Sequence, residues 1–302
     1  MAKQKLMMAS VLGSLLLAFS AVTQAQTATC TNWNFFKASS SAIRTFASGI
    51  NRWNVVTGDV PQSSQPFDKG FLHYPDGSIK TYVFPSSVWT SFTRRNSQGV
   101  TVGSYGDSSP NNYIHGFVLS GSKTATVNYP GALNTSLTGI NYYGSLVGYY
   151  LDKSGNTHGF ELKNGAFTRI DFPGAGLTQA ESISDTGVIV GYYENKLSNG
   201  ALGSPHGFVL AKGVYKTLDD PKGALHYGYG TRLFDINSSS VIVGSYHLNG
   251  NEHAFLYSGG KFKDVLPPNS SSSVNTGING NGVLVGQGTL SGVTVGYTAH
   301  CR

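Results

Sequence analysis

Charge is scarce in this chain. Of 302 residues only 12% are Asp, Glu, Lys or Arg, and they sum to +6. No run of Lys and Arg follows, so the basic stripe by which proteins grip nucleic acid is missing, and the balance reads as ordinary solubility. Cysteine is nearly absent, with Cys30 and Cys301 the two present, too few for a disulfide-dense scaffold. No segment after residue 25 carries the 3.6-residue apolar period of a helix or the long apolar run of a membrane span. No G-x-S-x-G elbow, zinc signature, dinucleotide loop or phosphate loop occurs. No cofactor or metal is expected.

The one apolar stretch stands at the start, MAKQKLMMASVLGSLLLAFSAVTQA. Lys3 and Lys5, the apolar run and the Thr-Gln-Ala ending at Ala25 read as a secretory signal peptide over 1–25. The expectation is a secreted or periplasmic protein, its body (26–302) one domain of charge near +4.

What the chain has in abundance is glycine, 39 residues, with 12% aromatics and many Ser, Thr and Asn. That composition suits short strands joined by tight turns. It also repeats. Taking the Asn of "GIN" as a marker, equivalent positions are Asn51, Asn96, Asn141, Ser184, Asn237 and Asn279, spaced by 45, 45, 43, 53 and 42 residues. A glycine stands seven residues after each marker. A His-Gly-Phe-like element follows, at His115, His158, His206 and His253, weakened at Lys69 and Val295. Such a period with four short strands per unit predicts a six-bladed β-propeller of antiparallel blades, strands A to D running outward from the axis. Four histidines at equivalent places could hold a metal, but they precede strand C, too far from the axis to share an ion; hydrogen bonds to neighbouring turns are expected instead. The last unit lacks a strand D, and the run CTNWNFFK near the start is strand-like. It is expected to complete the last blade and close the ring, with Cys30–Cys301 replacing the missing turn.

The GINxxGxxVGYY unit with HGF or His253-Ala254-Phe255 resembles the bacterial extracellular repeats named for the His-Ala-Phe tripeptide. The resemblance spans nearly all of 26–302. It implies export and a propeller-like fold, and it brings no common activity or site residues. The segment ESISDTGVIVG resembles the Asp-box turn of sialidase-like propellers but lacks its closing aromatic and is not repeated.

Unit length varies only in the B–C and D–A connections, which emerge on one face of such a ring. The longest insertions, 194–205 and 222–232, should be neighbours there, and binding concentrates on loops held by a rigid scaffold. The A strands should line the axis with small residues. Three depart from this, bringing Arg94 and Arg95, Glu181, and Arg232 with Asp235. Those ions either pair and plug the axis or form a polar pocket. His226, Tyr227, Tyr229, Tyr150, Tyr193 and Trp89 are the rim candidates for ligand contact. The favoured expectation is a monomeric, non-catalytic secreted propeller that binds a glycan, small molecule or protein. The alternative is a hydrolase or lyase acting on a carbohydrate or small molecule, with Glu181 and Asp235 as acid and base and Arg94 and Arg232 orienting an anion.

Overall fold

The computed structural model describes residues 26–39, 42, 44–61, 68–223 and 229–301; the signal-peptide segment, His226 and Tyr227 lie outside them. Among the described residues there is no helix, and six antiparallel sheets form a propeller ring. Blade 1 comprises Phe46–Ile50, Val56–Val60, Lys69–His73 and Ile79–Tyr82 as strands A to D. Blade 2 comprises Ser87–Arg95, Val100–Asp107, Ile114–Ser120 and Lys123–Val127. In blade 3 they are Asn134–Ile140, Leu146–Leu151, Thr157–Lys163 and Ala166–Ile170. Blade 4 follows with Ala175–Ile183, Ile189–Lys196, Leu202–Ala211 and Val214–Thr217. Blade 5 has Thr231–Ile236, Ile242–Leu248, Asn251–Ser258 and Lys261–Asp264.

Blade 6 takes strands A to C from the chain's end, Ser273–Ile278, Val283–Leu290 and Val293–Cys301. Its strand D is Cys30–Phe36, in which Cys30 pairs in register with Cys301 and the two form a disulfide. The ring closes as the sequence predicts. One addition was not predicted: Gln26–Thr27 pairs in parallel with strand D of blade 5, giving that blade a fifth strand.

The repeat is now legible as packing. The aromatic of each His-Gly-Phe-like element (Phe71, Phe117, Phe160, Phe208, Phe255 and Tyr297) is fully buried between blades. The glycine seven residues after the marker sits against the neighbouring A strand; at Gly148 a Cβ would lie 1.9 Å from the Ser136 carbonyl oxygen. Each A strand carries a bulge three residues before its marker, which turns one extra residue toward the axis.

The marker asparagines latch blade to blade. Asn51, Asn96, Asn141, Asn237 and Asn279 each donate from Nδ2 to the marker carbonyl of the next blade, at 3.0–3.3 Å. Their Oδ1 atoms accept N–H groups of their own A–B turns. A side chain that satisfies both its turn and its neighbour explains why Asn recurs where any turn residue would otherwise serve. At Ser184 the latch is absent: the hydroxyl is spent on its own turn, on Thr186 and the Val188 N–H.

Three of the four recurring histidines make hydrogen bonds with loop groups. His158 bridges Asp152 and Asp171, His115 contacts Asp107 and Asn128, and His206 contacts Asp219. Each ring also caps a tyrosine, which on its other side stacks on the aromatic preceding the proline of the previous blade. The stacks are Phe84–Tyr105, Tyr129–Tyr150 and Phe172–Tyr193, at 3.9, 3.7 and 3.6 Å between centroids. Among the described residues no group of three or more His, Cys, Asp or Glu is arranged to hold a metal.

Candidate functional site

Three concavities deserve description, two on the axis and one among the loops. The first opens on the face of the A–B turns, with a volume of about 350 Å³ and walls made by the marker ring. Its floor is Arg94, Ser182 and Asp235. These three occupy the position held by Gly49, Gly139 and Gly277 in the other blades. Beneath it lies a smaller cavity of about 150 Å³, lined by the bulge residues Ser48, Thr93, Thr138, Glu181, Phe234 and Thr276 together with Arg94.

Arg94 separates the two. Its guanidinium crosses the axis and donates to the carbonyls of Ser48, Phe234 and Thr276. The glycine of blade 1 makes room for it, since a Cβ at Gly49 would lie 2.9 Å from Arg94 Cδ. Asp235 is the counter-ion, its Oδ1 3.5 Å from Arg94 Nε. The carboxylate also accepts from Ser182 Oγ at 2.5 Å and from the N–H groups of Ile236 and Ile278. These three donors and Arg94 hold the Asp235 side chain in one place.

Glu181 differs. It faces the inner cavity, and burial pushes its carboxyl up to about 7, against the pull of Arg94 and Arg232. Arg232 stands toward the other face, its guanidinium 5.2 Å from the Tyr192 ring centroid and 3.9 Å from Glu252. The sequence had grouped Glu181, Asp235, Arg94 and Arg232 around one channel mouth. The structure spreads them through the depth of the ring: Asp235 lines the outer cavity, Glu181 the inner one, Arg94 both, and Arg232 neither.

The third concavity lies on the B–C and D–A face between blades 3 and 4, with a volume of about 380 Å³. Asn156 and His158 form one wall, the Ala175–Leu177 segment another, and Lys196, Gly200 and Leu202 of the blade 4 insertion the third. The insertion is a hairpin that prolongs strands B and C, pairing Lys196 with Leu202. Its base touches the second insertion, as the sequence predicts: a Cβ on Gly230 would meet the Pro205 carbonyl oxygen at 2.0 Å.

The remaining rim candidates fall in different places. Tyr229 is 45% exposed and stacks on His247 at 3.7 Å. Trp89 is half-buried on strand A of blade 2, its indole lying over Gly106. Tyr150 and Tyr193 are buried in the stacks described above, and neither ring faces solvent. Arg95 donates to Thr101 on its own blade and borders the outer axial cavity. Sequence reasoning missed the outer axial cavity. Its signal was present in the constancy of the marker Asn, which reads equally well as a turn residue.

No protein-family model matches the chain, and no curated protein matches it in sequence. Solved structures do. It is similar to TolB of Acinetobacter baumannii (TM-score 0.53, 12% identity) over 72% of this chain, and it spans about half, 53%, of that one. The XC5397 gluconolactonase of Xanthomonas campestris matches with a TM-score of 0.51 at 11% identity, over 92% of this chain and 98% of the other. A Trypanosoma rangeli sialidase matches with a TM-score of 0.51 at 10% identity, over 92% and 60%. At such identities the likeness is one of fold: the chain is a six-bladed β-propeller.

Proposed function

We propose that this propeller is an exported binding protein of the His-Ala-Phe repeat kind, which takes a glycan or a partner segment on its B–C and D–A face. The observation that carries this reading is that the blade 4 insertion, the largest departure from the repeat, walls a cavity on that face. The disulfide fits an oxidising compartment such as the periplasm or the extracellular space, and among the described residues no helix is long and apolar enough to cross a membrane. Constant residues are spent on packing, and a ligand is read by what varies.

Glycan and peptide arrays probed with the intact protein test this, repeated with a variant lacking the hairpin tip, residues 197–201. Binding should fall at least tenfold in the trimmed protein. Ligand binding that survives the trim unchanged places the contact elsewhere.

The hydrolytic reading has one observation in its favour, the Glu181 carboxyl near 7, an acid poised to exchange a proton at neutral pH. A glycosidase needs a second carboxyl flanking the same bond, and Asp235 faces the other cavity, tied to Arg94 and three hydrogen-bond donors. Turnover of any substrate that persists in Glu181→Gln removes this mechanism.

A further inference from the structure

The axial cavity on the A–B turn face belongs to neither of these readings. Five blades latch around it through Asn, and the sixth junction, from blade 4 to blade 5, does not. Ser184 is too short to reach across, so the Asn237 carbonyl is left, among the described residues, with only the Ser240 N–H of its own turn. Below that gap Ser182 and Asp235 stand where three other blades have glycine. The cavity is thus a ring of spent amides with one polar notch.

The rim adds aromatics. Trp53, Tyr142 and Tyr143 are 59%, 43% and 76% exposed on A–B turns. Two of these aromatics are held in place. The Trp53 indole donates from Nε1 to the Ser97 carbonyl of the next blade at 3.1 Å, with the Arg52 guanidinium 4.7 Å from its ring centroid. The Tyr142 N–H donates to Asp185 Oδ1 of the next blade at 2.8 Å, and its ring meets Tyr143 edge-on. Flat faces fixed in advance cost little to order on binding.

We infer that this cavity is a binding site for a neutral saccharide of one or two rings, and that it is independent of the loop-face site. Ring faces rich in C–H stack on Tyr142, the aromatic that lines the cavity. Sugar hydroxyls both donate and accept, and they find both kinds of partner here: Arg52 donates, Asp185 accepts, and Ser238 and the Asn237 carbonyl border the notch. Arg52, Arg94 and Arg95 offset Asp185 and Asp235 in the lining, so little net charge is left to draw in a strongly charged ligand of either sign. A volume of about 350 Å³ suits a small ligand.

The test is titration of the intact protein with a panel of neutral hexoses and hexose disaccharides up to 20 mM, read by tryptophan fluorescence and saturation-transfer NMR. Tyr142→Ala changes an exposed turn residue, and circular dichroism checks that the variant keeps the fold. At least one sugar should bind with millimolar or better affinity, weakened at least tenfold in Tyr142→Ala and undiminished in the variant lacking residues 197–201. Three results overturn the inference: no sugar binding at 20 mM, binding indifferent to Tyr142→Ala, or binding lost only with the loop-face trim. The last would leave the loop-face proposal standing, while loss of array binding in the trimmed protein bears on that proposal alone.

Discussion

Blades 3 and 4 meet as the repeat prescribes, whereas blades 4 and 5 do not. At the first junction Asn141 latches to the Ser184 carbonyl, Thr138 Oγ donates to the Ala180 carbonyl at 2.7 Å, and Phe172 stacks on Tyr193. At the second junction all three devices are replaced. Ser184 stands for Asn, Glu181 for Thr, and Asp220 for the stacking aromatic. Lys222 covers Tyr246 instead, 4.9 Å from its ring centroid and paired with Asp264, while Asp220 Oδ2 is buried with no hydrogen-bond partner among the described residues. The charged floor of the axial cavity and both long insertions border this same junction. Where the repeat is kept, the blades are glued by neutral, mutually satisfied groups. Where it is abandoned, polar groups are freed for other use at a cost in cohesion.

The largest expected effect comes from the covalent closure of the ring in blade 6. The Cys30–Cys301 bond spans 271 residues. Replacing both cysteines with Ser should lower stability by about 4–5 kcal/mol on the loop-entropy argument, measured by denaturant unfolding without reductant. A loss below ~1 kcal/mol would mean the ring needs no such constraint.

Next is the ion pair beneath the junction of blades 4 and 5. Arg94→Met leaves Asp235 buried without its cation and should cost roughly 3 kcal/mol. Changing Arg94 and Asp235 together to glycine restores the residue of blades 1, 3 and 6. The double variant should lose less than the single one. Equal losses would show that packing, rather than charge pairing, is what Arg94 supplies.

A smaller effect concerns pH. The Glu181 carboxyl sits at about 7 in the fold, above its ordinary 4.5. Between those values the folded state holds a proton that the unfolded state has lost, so stability falls as pH rises from about 4.5 to 7 and levels off above. Asp59, pushed up to about 6 by burial, adds a slope of the same sign at the junction of blades 1 and 2. Glu181→Gln should flatten the upper part of the pH–Tm curve, leaving the Asp59 part; a curve unchanged in shape would remove Glu181 from the account.

Much of this architecture was legible in the chain, and the reasons are particular. A strand reveals itself through alternation and a turn through glycine, so six blades, their closure by residues 30–36 and the disulfide all followed from spacing. Gln26–Thr27 is too short to show alternation, and its parallel pairing is invisible in sequence. Tyr150 and Tyr193 were read as rim groups, yet both are core. The stacking partner that buries each one comes from the preceding blade, some 20 residues upstream. Most instructive is Ser184, the one marker position that is not Asn. Its meaning depends on a carbonyl 53 residues away, and only the ring geometry brings the two together.

Comparing Ser184→Asn with Asn141→Ser by equilibrium denaturation tests the central claim most directly, that amide latches bind the blades and that the junction of blades 4 and 5 lacks one. The first variant should raise stability by about 1 kcal/mol and the second lower it by a similar amount. If Ser184→Asn gives no gain while Asn141→Ser gives no loss, the ring is held by its apolar layers alone and the difference between the two junctions has no energetic content.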